Sequence, residues 1–140
     1  MRKPVVAQLP IIPYGGKVEI VIAKNLKEAW ESVSKLMRKQ FREAAERTDL
    51  TGDDGTGAVT LTDGWLHLIL ATGKTDQVGL SHELLHVTHH VLDHRNIPYG
   101  DLINDETVTY LHDWLIRETL PLHKYLSPAK RPNKLLKIKK

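Results

Sequence analysis

The run Ser81-His82-Glu83-Leu84-Leu85-His86 carries two histidines four residues apart, with a glutamate directly after the first. On a helix, positions i and i+4 lie one turn apart on the same face, so His82 and His86 can each offer an imidazole nitrogen to one metal ion. Glu83 then stands beside the ion instead of on it. A carboxylate in that place can take a proton from a metal-bound water whose pKa has fallen to about 7, which makes a nucleophile at neutral pH. The chain of 140 residues has no cysteine, so any transition metal must be held by His, Asp and Glu. The pattern points to a water-activating Zn2+ site.

A catalytic zinc takes three protein ligands and leaves a fourth position to water. Candidates for the third are His89, His90, His94, Glu106 and His112. At about 1.5 Å of rise per residue, His89 and His90 lie roughly 10 and 12 Å along the axis from His82, too far to share one ion through bonds of about 2 Å. His94 would need the helix to break soon after His86, and the apolar Val91 and Leu92 argue that it continues. Glu106 is the preferred ligand. The Pro98-Tyr99-Gly100 turn lets the next helix fold back antiparallel and bring this carboxylate against the His82/His86 face. Tyr110, Asp113 and Arg117 project from the same stripe. Asp113 could orient a ligand imidazole through its other nitrogen, and Tyr110 could donate to a developing oxyanion. An ordinary surface face of the helix is the plain alternative for both.

Several elements must position these groups. Residues 1–16, with Pro4, Pro10 and Pro13 and paired glycines, read as an extended arm that packs on a neighbour without forming a regular element. Lys17 to Ala23 is β-branched and bounded by glycine, which predicts a strand. Asn25 can cap a helix, with Glu28 placed to complete a capping box, and Leu26, Trp30, Val33, Met37, Phe41 and Ala44 keep the helical period up to about Arg47. Asp49 to Gly57 reads as a loop and lacks the spacing of a calcium-binding hand. Ala58 to Thr62 and Trp65 to Ala71, joined by Asp63-Gly64, predict a tight antiparallel hairpin with His67 as a hydrogen-bonded strand histidine. The HExxH helix should run from about Gln77 to about His94 with Thr75 or Asp76 as its cap, and the ligand helix from near Asn104 until Pro121 ends it. These elements predict an α+β domain over residues 17–126.

The composition, 41% hydrophobic and 26% charged, is that of one ordinary soluble domain. No apolar run approaches the roughly 18 residues that span a bilayer, and prolines interrupt the N-terminal segment, so a cytoplasmic protein without membrane contact is expected. Residues 127–140 hold six basic and no acidic residues, leaving 14 basic against 17 acidic in the rest, so the net charge of +3 belongs to the tail. Such a tail is most simply a solvated end; weak nucleic-acid contact is the functional alternative.

His82-Glu83-x-x-His86 followed 20 residues later by Glu106, in the context Ile103-Asn104-Asp105-Glu106, resembles the gluzincin branch of the zincin metallopeptidases. In length, and from Ser81 to Leu120, the chain is also similar to short HExxH proteins encoded by bacteriophages. The resemblance implies a minimal zincin-like domain with His82, His86 and Glu106 on Zn2+, Glu83 as general base and a peptide or protein as substrate. For a phage-encoded protein it implies the host cytoplasm or the virion. The Asp that gluzincins often place four residues after the ligand Glu is Tyr110 here, and Tyr110, His112 and His123 all stay open as the oxyanion-stabilising group. The three-histidine ribonuclease pattern would place its last ligand at Leu92. An edge strand around Trp65 to Ala71 would align an extended substrate. With little room for deep subsites, specificity would come from a partner or an oligomer. The competing expectation is a non-catalytic phage structural or interaction protein that keeps the zinc as a structural clip.

Overall fold

The two most apolar runs of the chain, KVEIVIA and LHLILAT, lie side by side as parallel strands in the middle of a four-stranded sheet. This is seen in a computed structural model that describes residues 3–52, 57–99 and 105–128. The strands are β1 (Val5–Pro10), β2 (Lys17–Ala23), β3 (Ala58–Thr62) and β4 (Leu66–Thr72). The helices are α1 (Leu26–Glu31), α2 (Lys35–Glu46), α3 (Gln77–His94) and α4 (Asp105–Thr119), with a 3-10 turn at Leu120–Tyr125. The sheet order is β1-β2-β4-β3, and both edge strands run antiparallel to their neighbours. Strands covered on both faces must be apolar on both, which accounts for the unbroken character of β2 and β4.

Each face of the sheet has its own core. Val21, Ala23, Leu68 and Leu70 pack under α1 and α2 with Leu26, Met37 and Phe41. Val18, Ile20, Ile22, Ile69 and Ala71 pack under α3 and α4 with Leu80, Leu84, Val87, Val91, Leu111 and Leu115. The expected α+β class is therefore observed. Among the described residues no helix is long and apolar enough to cross a membrane.

Three expectations need correction. The N-terminal arm is not free of regular structure: Val5 to Pro10 pair with Ile22 to Lys17 as edge strand β1. The period from Asn25 to Arg47 covers two helices instead of one. Asn25 caps α1 as expected, its Oδ1 accepting from Glu28 N at 2.8 Å. The break at Ser32–Ser34 follows from Glu19, buried on β2, whose carboxylate accepts from Ser34 N at 2.8 Å and Gln8 Nε2 at 2.7 Å. A carboxylate at the start of α2 favours a fresh helix N-terminus there. Thirdly, the segment Trp65 to Ala71 is no edge: β4 pairs on both sides, and β3 is the open strand beside α3. A hairpin with its second strand buried in the sheet leaves only the first strand exposed.

The hairpin itself is as expected. Asp63 Oδ1 accepts from Trp65 N and Leu66 N, and Gly64 adopts φ 96, a left-handed conformation at which a Cβ would run into the His94 ring. Arg95 ties this turn to the rest. Its Nε donates to Tyr14 O, its Nη1 to Gly64 O and Val91 O, and its Nη2 to Gly15 O, all between 2.8 and 3.0 Å, while the guanidinium lies 4.2 Å from the Trp65 ring centroid.

Candidate metal centre

Helix α3 spans Gln77–His94, and Asp76 caps it by accepting from Gly79 N at 2.8 Å. Its apolar Leu80, Leu84, Val87 and Val91 are buried on the sheet. That orientation leaves His82 and His86 exposed on the flank nearest β3, with Glu83 between them and the sheet, itself only 8% exposed.

The two imidazoles meet edge to face, Nε2 to Nε2 at 3.1 Å. Two nitrogens on one tetrahedral zinc, with bonds of about 2.0–2.1 Å, stand about 3.3 Å apart, close to the separation of this pair. Glu83 Oε2 lies 4.0 Å from His82 Nε2, and Oε1 accepts from Thr60 Oγ1 at 3.1 Å. Among the described residues His82, Glu83 and His86 form the group whose ligand atoms all fall within 4.8 Å of one another. Nitrogen and carboxylate donors of this kind suit zinc.

The cluster opens into a cleft of about 450 Å³ whose other walls are β3 (Ala58 to Thr60), the start of the α2–β3 connection (Thr48 and Asp49) and His90. His90 is too far along the helix to share an ion with His82, yet it lies in the same cleft. Partial enclosure there, reinforced by the neighbouring imidazoles, lowers its pKa against the opposing pull of Asp93.

Helix α4 does return along α3 as the turn implied. The His112 Nε2–H donates to Ser81 O at 2.9 Å, and the end of α4 flanks Gln77 to Leu80 at the start of α3. The face of α3 that meets α4 is the Ser81 side, however, and it is not the His82/His86 side. Glu106 is exposed in the first turn of α4 and does not join the cluster. Tyr110 is 69% exposed and Asp113 is exposed; neither lines the cleft. His123 lies at the far end of α4, beside Gln77 and Leu120. The Asn104 cap, the paired aspartates of the 49–57 loop and the tail beyond Pro128 lie outside the described residues.

His67 is the buried strand histidine expected, sharing a 2.6 Å hydrogen bond between Nδ1 and Thr62 Oγ1. Its Nε2 is buried without a partner among the described residues. Burial, helped by the Arg95 charge and partly opposed by Asp63, lowers its pKa from 6.5 to about 4, so this imidazole is neutral in the folded protein. Thr60 was not singled out in the sequence, although a signal for it existed. The Asp63-Gly64 turn sets the register Thr60↔Ile69, and Ile69 faces α3, so Thr60 must face it too.

Compared with models of protein families, with curated proteins and with solved structures, the chain matches none. The chemistry of the site therefore has to come from its own residues.

Proposed function

We propose that the protein is a zinc-dependent hydrolase of the metallopeptidase type, with a zincin-like disposition of its HExxH helix behind an antiparallel edge strand. The observation that carries this reading is the pair of Nε2 atoms at 3.1 Å with a nearly buried carboxylate beside them. Zinc bound there would polarise a substrate carbonyl and lower the pKa of water to about 7. His82 and His86 are the residues that would hold the ion. Glu106, the expected third ligand, is not assigned to the ion: its helix meets the Ser81 side of α3, and its side chain stands exposed away from the two imidazoles.

Glu83 is the general base. Thr60 holds Oε1, which leaves Oε2, 4.0 Å from His82 Nε2, as the atom that would accept a proton from the attacking water and return it to the leaving amine. Strand β3 is open along its outer edge and forms a wall of the cleft, so an extended peptide would align by adding to it. This transfers the aligning role from β4 to β3.

The competing clip is disfavoured by one feature. His82 and His86 come from one turn of one helix, and an ion held by them alone would join no two elements. The deciding experiment is Glu83→Gln, followed by zinc content and hydrolysis of a casein-type substrate. The variant should keep its zinc and lose about 10²- to 10⁴-fold in turnover. Absence of turnover by the zinc-loaded wild type across a broad peptide library would instead favour the clip.

A further inference from the structure

On the other side of the sheet, α1 and α2 border a groove of about 910 Å³. Its rim carries Lys27, Lys35, Arg38, Lys39 and Arg42, against a single carboxylate, Glu46. None of these cations forms a salt bridge among the described residues. Along α2 they recur at Lys35, Arg38/Lys39 and Arg42, three positions spaced one helical turn of about 5.4 Å apart and carrying four positive charges. Charge spaced in this way is a match for a regularly charged polyanion.

Charge alone would accept any anion; the wall of the groove narrows the choice. Trp30 is half-buried there, with the Arg38 guanidinium 5.6 Å from its ring centroid, and the floor includes the apolar Val33 and Leu50. A flat indole beside a flat cation, above an apolar floor, offers surface that a planar base can use and a carboxylate side chain cannot. A double helix presents its phosphates on a wide convex surface and keeps its bases stacked inside, so it could not use the recess. We propose that this groove binds single-stranded nucleic acid, with phosphates on the five cations and a base against Trp30. The inference is independent of the metal centre.

The test is fluorescence anisotropy of a labelled oligo-dT of about twelve nucleotides with the full chain, without added metal, at 50 and 200 mM salt. Five phosphate contacts give a log–log salt slope of about −3.5, so affinity should fall about a hundredfold between the two conditions. Lys39→Glu/Arg42→Glu changes only exposed residues. It should weaken binding at 50 mM at least tenfold and reduce the slope by about 1.4. Trp30→Leu keeps apolar bulk but removes the ring, and should weaken binding about fivefold with the slope unchanged. The proposal is overturned by absence of binding at 50 mM, or by a Lys39→Glu/Arg42→Glu variant, folded by circular dichroism, that binds like wild type. It is equally overturned if a polyglutamate peptide of the same length competes as well as the oligonucleotide, which would assign the groove to an acidic protein.

Discussion

At the C-terminal end of α3, every nitrogen of the Arg95 guanidinium donates to a backbone carbonyl, and His67 beneath the same end is buried with Nδ1 on Thr62. Nearer the start of the same helix, His82 and His86 face one another in solvent with the Glu83 carboxylate beside them. The Arg95 guanidinium is satisfied from within the chain and joins the 14–15 loop, the hairpin turn and the helix. The His82, Glu83 and His86 set gathers three potential ligand groups within 4.8 Å of one another on an open flank. Polar groups supplied with partners serve to hold elements together, whereas imidazoles and a carboxylate clustered on an open flank suit an ion.

That contrast can be broken at either end. The largest effect is expected at the clamp: Arg95→Ala should lower stability by about 3 kcal/mol in chemical denaturation, because four carbonyls lose a charged donor. Arg95→Lys should recover less than half of it, since an ammonium cannot reproduce the planar fork. Metal affinity should be unchanged in any Arg95 variant that remains folded. If instead stability were indifferent to Arg95, the distinction between the two ends would fail.

The next effect is of similar size and depends on pH. The His67 imidazole takes its proton near pH 6.5 in the unfolded chain and only near pH 4 in the folded one. Between those values the unfolded state binds the extra proton, so stability is complete above about pH 6.5 and declines as pH falls. The loss is about 1.4 kcal/mol per pH unit and about 3 kcal/mol in all. Denaturation followed from pH 7 to 4 should show this slope, and His67→Gln should flatten it. A slope preserved in His67→Gln would assign the effect elsewhere.

The smallest effect is at the functional end. Thr60→Val removes the hydroxyl that holds Glu83 Oε1, and should reduce turnover about fivefold to tenfold while leaving zinc content and stability nearly as they were. An unchanged rate would show that Glu83 needs no such support.

How much of this was legible beforehand depended on whether the signal was local. The limits of α3, its Asp76 cap, the α1 cap at Asn25 and the Asp63-Gly64 hairpin all rest on contacts within a few residues, and each is observed. The break between α1 and α2 was invisible because its cause, Glu19, lies 15 residues away on β2. Edge status was equally hidden: which strand of a hairpin joins the sheet depends on pairing with β2, a partner more than 40 residues earlier in the chain. The pairing of His82 with His86 needed only helical spacing. The position of Glu106 needed the rotation of α4 about its own axis, which is set by the packing of Leu111 and Leu115. That packing turns the Ser81 side of α3, and not the histidine side, toward α4.

The central claim is that one turn of α3 holds a zinc ion, and elemental analysis of the purified, metal-reconstituted protein tests it most directly. One zinc per chain is expected for wild type, for Glu83→Gln and for Glu106→Ala, whose carboxylate stands away from the pair, and none for His82→Ala/His86→Ala. A wild-type protein that takes up no zinc, or a double-alanine variant that keeps a full equivalent, would contradict the account.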